Sequence, residues 1–272
     1  MRTAVARLAL STVLGLAVGA GVESVAVAQT TPVASTSPAG SGGASNPALA
    51  TKPEDKPAPR LPDGTPDFTG VWVGGGPVGN IADGLLPGEE ILLLPEAKKL
   101  MDSRKAADDP EANCLPTGVP RVAPYPWRVL QTPPYGKAEV LYFIFEGNIH
   151  SYRQIFVDGR GHPDDLEATW YGHSIGHWEG DTLVIETVGF NDRFWFDFKG
   201  HPHTKQLKTV ERWTRVSYGK LENVVTINDP GAYAKPFTVK FTATLRPGWD
   251  MMEYICNENN QDVEHIRGKA GL

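Results

Sequence analysis

Five of the seven histidines, His162, His173, His177, His201 and His203, fall between residues 162 and 203. The same window carries Glu186, Asn191, Asp192 and Asp197 together with Trp170, Tyr171, Trp178 and Trp195. Imidazole titrates near neutral pH, and a neighbouring carboxylate fixes its tautomer. His173, Asp192, Asp197 and His203 are therefore the candidate catalytic acids and bases. Trp170, Ser174, Asn191 and Trp195 are candidate ligand contacts. Arg153 and Arg212 join them because a guanidinium forks onto a carboxylate or oxyanion, and Glu211 because it can orient a donor. Each also has a plainer reading: a cross-strand ion pair, a core aromatic or an ordinary turn.

Two sharper chemistries fail on spacing. His173 and His177, four apart, would chelate a metal on a helix, but on a strand that spacing separates them by roughly 13 Å. The segment reads as strand, and His201-Pro202-His203 lacks a following acidic ligand, so no metal site is expected. Gly172-His173-Ser174-Ile175-Gly176 fits the letters of a hydrolase nucleophile elbow. That elbow needs a strand, a sharp turn and a helix in a parallel sheet. Here another hairpin follows, so the two glycines are read as relieving crowding on a strand.

The elements that would position these residues are short alternating segments separated by turn signals. Strands are expected at 67–73, 125–132, 138–145, 149–157, 169–178, 182–188, 207–217, 221–228, 237–245 and 251–257, with one helix at 95–104 that has Pro95 in its first turn. Glu146-Gly147-Asn148, Glu179-Gly180-Asp181, Tyr218-Gly219-Lys220 and Pro247-Gly248-Trp249 are tight connections, which force antiparallel neighbours. The pattern predicts an all-β, antiparallel up-and-down barrel of about 8–10 strands, closure removing exposed edges; a β-sandwich is the alternative. Gly70-Val71-Trp72 is similar to the Gly-x-Trp that opens the first strand of lipocalins, although a core tryptophan satisfies the same letters.

The chain ends place this domain. Arg2 and Arg7 precede an apolar run from Leu8 to Val22, and Ala26-Val27-Ala28 offers a small-x-small cleavage site. Residues 1–28 are read as a signal peptide, and the apolar run is too short to span a bilayer. Residues 29–60, rich in Pro, Ser, Thr and Ala, are read as a disordered tether, and 61–272 as one domain. The expected location is periplasmic or secreted, with no transmembrane segment in the mature chain. Cleavage removes Arg2, Arg7 and Glu23, taking the formal charge from −6 to −7. With no basic stripe, nucleic acid is not an expected partner. Cys114 and Cys256 are an even pair in an oxidising compartment and predict one disulfide closing a loop of about 140 residues. Neither a phosphate loop nor a Rossmann or haem motif is present, so no cofactor is expected.

The run GHSIGHWEGDTLVIETVGFNDRFWFDFKGHPHTKQLKTVERW, with NCLPTGVPR before it and NDPGAYAKPFTVKFTATLRPGWDMMEYICNENN after it, resembles a group of uncharacterised secreted bacterial proteins of acidobacterial and sphingomonad type. The resemblance spans about residues 65–260. It implies a lipocalin-like β-barrel and an exported location, and it implies no activity. It marks His173, Ser174, Asn191, Asp192, Trp195, Asp197, His203, Glu211 and Arg212 as a recurrent polar set. Three functions follow as expectations. The first is a small-molecule-binding barrel with an aromatic and histidine-lined pocket. The second is a lyase, isomerase or hydrolase using His and Asp on a small molecule in the cell envelope. The third is a structural envelope protein.

Overall fold

The computed structural model describes residues 56–121, 125–131, 139–147 and 151–256. The expected signal peptide and nearly all of the expected tether lie outside these residues. Nine strands form a closed barrel in sequential order: β1 (Gly70–Gly74), β2 (Trp127–Gln131), β3 (Val140–Phe145), β4 (Tyr152–Phe156), β5 (His173–Glu179), β6 (Thr182–Val188), β7 (Lys208–Ser217), β8 (Lys220–Asn228) and β9 (Phe237–Leu245). Closure runs through β1, where Trp72 faces Trp127 of β2 on one side and Leu245 of β9 on the other. The single α-helix, α1 (Pro95–Ser103), buries Ala97 only, and Leu100 of its expected apolar face is exposed.

Two sequence expectations are corrected. The expected strand at 251–257 does not form over its described residues 251–256, because β1 and β9 already pair and leave no edge to extend. Residue 252 instead donates its backbone N–H to Glu146 Oε2 at 2.8 Å. The barrel is also not antiparallel throughout. β4 and β5 run parallel, paired only at Ile155–Ser174 and Phe156–Ile175. The connection 157–172 is no tight hairpin and carries the chain back before β5 begins, which a parallel neighbour requires. At the border between the expected tether and the domain, Arg60 pairs with Asp181 at 2.6 Å, and the Lys56 carbonyl accepts the Tyr218 N–H.

Burial alternates along the strands, and two apolar clusters fill the molecule. One lies inside the barrel around Trp72, Trp127, Phe143, Phe145 and Trp213. Trp127 stacks on Phe143 with centroids 5.3 Å apart and meets Trp213 edge-on at 5.5 Å. The second cluster joins Val225, Ile227, Phe237 and Val239 of β8 and β9 to Phe190, Phe194 and Phe196 of the β6–β7 connection. The disulfide is present between Cys114 and Cys256. It ties the chain after β9 to the segment 114–121, which lies against both clusters.

Candidate functional site

β7 places Thr209, Glu211, Trp213, Arg215 and Ser217 inward and turns Lys208, Val210, Arg212, Thr214 and Val216 outward. An alternating strand whose inward face is mostly polar needs partners inside the barrel, and β4, β5 and β6 supply them. Arg153 of β4 lies 2.5 Å from Glu211 Oε2, with both side chains at most 3% exposed. Its Nε donates to Ser174 Oγ at 3.0 Å and one terminal nitrogen donates to Thr187 Oγ1 at 2.7 Å. Ser174 and Thr187 share a hydrogen bond at 3.0 Å, and Trp213 Nε1 donates to Glu211 Oε1 at 3.2 Å. Arg153, Ser174 and Glu211, three of the expected ligand contacts, are thus one buried network, satisfied largely by one another.

The space left beside this network is about 20 Å³, lined by Gly118 to Arg121 with Trp127, Phe143, Phe145 and Trp213. That is room for about one water molecule. The segment 118–121 is held over it by Arg121, which is 1% exposed and forks onto Asp109 at 2.9 and 3.0 Å. A second carboxylate, Glu111, lies 2.5 Å away, and burial holds its pKa above the ordinary range despite Arg121. Gly118 has φ +73°, and a Cβ there would strike the Phe194 ring. Beside the network the barrel interior is therefore packed, with little room left for a ligand.

One open space lies on the wall, at the parallel seam. Because β4 and β5 share only two register pairs, they diverge beside them. A cleft of about 310 Å³ forms there, walled by Tyr152, Phe156, Trp170, Tyr171 and His173 and floored by Arg153 and Ser174. Glycine makes this geometry possible at two points. Gly172 has φ +65°, and a Cβ there would press on the Val188 carbonyl at 2.5 Å. Gly176 faces Ile155 and Val157, whose methyls would lie 3.0 and 3.2 Å from a Cβ, so its bare backbone lets β4 approach β5.

The ring groups of the cleft are fixed by their neighbours. His173 stacks on Phe156 at 5.2 Å, and its Nδ1 lies 2.8 Å from Nδ1 of His162, one donating and the other accepting. Burial lowers the pKa of both imidazoles, and His162 lowers that of His173 further, so both stay neutral near pH 7. Tyr171 stacks on Phe145 at 5.6 Å and shares a 2.6 Å hydrogen bond with Ser151, while burial pushes its hydroxyl to about 12. Arg193 lies over the Trp170 ring at 4.7 Å. The cleft therefore offers aromatic walls, two of them under arginines (Arg193 on Trp170 and Arg160 on Phe156 at 4.1 Å), with imidazole and phenol groups at its edge, a surface suited to binding a flat molecule.

The four catalytic candidates are not brought together: each has different surroundings. His173 sits in the cleft. Asp192 is exposed. Asp197 is fully buried and accepts from His201 Nδ1 at 2.6 Å and from the N–H groups of Ile81 and His201. Burial opposes its ionisation, but these donors hold its pKa below the ordinary carboxylate value. His203 lies against the Phe194 ring at 3.7 Å with Nε2 unpartnered, and burial drives its pKa down to about 4.

Among the remaining ligand candidates, Trp170 alone joins Arg153 and Ser174 at the cleft. Asn191 closes a turn by accepting the Arg193 N–H at 3.1 Å. Trp195 is buried under Arg104, 4.7 Å above its ring. Arg212 pairs with Glu179 at 2.7 Å on the outer wall. Sequence reasoning did not single out Tyr171, His162, Phe156 or the Asp109–Arg121–Glu111 cluster. Tyr171 and His162 stood in the histidine window, whereas nothing local marked Arg121. Among the described residues, no group of three or more His, Cys, Asp or Glu side chains is arranged to hold a metal ion.

No known protein family, curated protein or solved structure matches this chain.

Proposed function

We propose that this is an exported binding protein for a small, planar molecule, which it takes up in the β4–β5 cleft and not in the barrel interior. The carrying observation is the lining: Tyr152, Phe156, Trp170 and Tyr171 surround about 310 Å³ at the seam, the interior leaves about 20 Å³, and the other wall pockets, of about 320, 380 and 450 Å³, carry fewer aromatic side chains. A drug-sized pocket begins at about 300 Å³, and aromatic walls give contact area with few rotatable bonds. The exported location rests on the leader and on the disulfide, which an oxidising compartment would sustain. The lipocalin-like assignment rests on the sequential barrel and on Trp72, buried in it after Gly70 and Val71.

The test is titration with 4-nitrobenzamide, a neutral flat quencher of tryptophan fluorescence. Trp170→Ala should weaken its binding about tenfold or more, consistent with loss of one aromatic wall. Equal binding by wild type and Trp170→Ala would place the ligand elsewhere. A second reading, acid–base chemistry by His and Asp, has one geometric observation in its favour. Asp197 fixes His201 with Nδ1 as donor, which leaves Nε2 to carry the lone pair. On the binding reading, His201→Gln leaves the titration unchanged.

A further inference from the structure

On another face of the barrel, sharing no lining residue with the seam cleft, three arginines border a pocket of about 380 Å³. Arg128 comes from β2, Arg215 from β7 and Arg246 from the turn after β9. Asp67 is the one carboxylate on the lining, and it is engaged by the N–H and hydroxyl of Thr69 at 2.8 and 2.5 Å. The formal balance of the lining is therefore positive in a chain whose overall charge is −6.

The three guanidinium groups are held differently. Arg215 is buried and spends its donors on the carbonyls of Asp67, Ser217 and Tyr218, so dipoles solvate its charge, and Asp67 is the carboxylate that acts on it. Its plane lies over Trp72 at 4.9 Å, which fixes it in place. Arg128 and Arg246 make no ion pair among the described residues, and Arg128 Nε is buried without a hydrogen-bond partner. A buried N–H donor left unpaired costs about 1–3 kcal/mol, so a site that retains one next to open space is arranged for an acceptor. Arg246 lies over the exposed Trp249 ring at 5.5 Å, placing a flat apolar surface beside the cations.

We propose that this pocket binds a phosphate monoester: Arg128 and Arg246 donate to the phosphate oxygens, Arg215 adds charge from beneath, and the organic body rests on Trp249. Guanidinium forks match tetrahedral oxyanions and are weakly hydrated, so little is lost in drying them. The tether meets the domain at the same rim, where Pro59 lines the pocket and the Lys56 ammonium lies 5.8 Å from the Tyr218 ring. The tether's last residues thus add a fourth cation to the approach.

The experiment is calorimetric titration of the full mature chain with phenyl phosphate at low and high salt. Binding that weakens with salt and falls about tenfold in Arg246→Gln, the loss of one charge-assisted hydrogen bond, is the expected result. Arg246 is exposed, so this variant leaves the fold intact. Arg212→Gln, which removes an arginine paired with Glu179 outside the pocket lining, and Trp170→Ala in the seam cleft should leave phenyl phosphate binding unchanged. No heat at millimolar phenyl phosphate, or equal affinity in wild type and Arg246→Gln, would overturn the proposal. Loss of binding in Trp170→Ala would overturn it too, by assigning the ligand to the seam.

Discussion

Arg153 of β4 and Glu211 of β7 meet across the interior of the barrel with 2.5 Å between Arg153 Nη2 and Glu211 Oε2, and neither side chain exposes more than 3% of its surface. The approach is ionic in distance but off the hydrogen-bond line for Oε2, while Oε1 accepts from Trp213. Ser174 accepts from the guanidinium Nε and Thr187 from Nη2. This polar belt lies among aromatic side chains, so its energetics depend on completeness: satisfied it fixes one arrangement, and halved it strands a charge.

A double-mutant cycle reads that dependence. Arg153→Met and Glu211→Met should each cost about 3–5 kcal/mol, because each leaves an uncompensated buried ion. The double variant should cost much less than the sum, since replacing both charges by apolar groups of similar size removes the desolvation penalty with the attraction. Urea unfolding of the four proteins gives the coupling directly. Additive losses would show that the two side chains do not depend on each other.

His203 predicts an acid-sensitive stability. Its folded pKa is depressed to about 4 from 6.5, and burial is the main cause. A histidine held neutral stabilises the fold fully above the unfolded pKa. That contribution is lost as pH falls from 6.5 towards 4, where the unfolded chain takes up a proton that the fold rejects. At about 1.4 kcal/mol per pKa unit the loss is on the order of 3 kcal/mol. His203→Phe, which keeps a ring against Phe194 but cannot titrate, should flatten stability in this window. Melting temperatures from pH 7 to pH 4 test it, and parallel curves for the two proteins would refute it.

The seal over the interior should be intolerant of a single methyl group. Gly118→Ala places a Cβ into Phe194 at a backbone φ of +73° that L residues avoid, and should cost about 1–3 kcal/mol. Phe194→Leu in the same chain should recover part of that loss by vacating the ring edge. Chemical denaturation of the pair distinguishes a tight seal from a loop with room to shift, in which Gly118→Ala would be neutral.

Much of this was open to inference from the chain alone. Turn glycines such as Gly180 and alternating strands fix local hairpins, and β9 at Phe237–Leu245 spans the residues its pattern predicts. Two cysteines leave one intramolecular pairing, and that pairing is present. The opposite facing of Glu211 and Arg212 also followed from strand periodicity. Which of them faced inward did not. On β7 the apolar Val210 and Val216 face outward and Thr209, Glu211 and Arg215 inward, so hydrophobic alternation alone carries no reliable direction. Glu211 is internal because Arg153, far away in sequence, is there to meet it.

The same distinction separates the histidine window from the site it becomes. Sequence proximity gathered His162, His173, His177, His201 and His203 into one stretch of chain. The parallel return into β5 placed His162 and His173 on the outer wall, and the long β6–β7 connection folded His203 into apolar packing against Phe194. A parallel pairing depends on where a long connection travels, and no local rule of turns records that path. The sequence by itself determined the all-β class, with a barrel expected over a sandwich, the pairing of its cysteines and the polar set available for chemistry. Only the tertiary structure decided that the interior is filled and the open cleft lies at the seam, because both follow from contacts between residues that the chain keeps far apart.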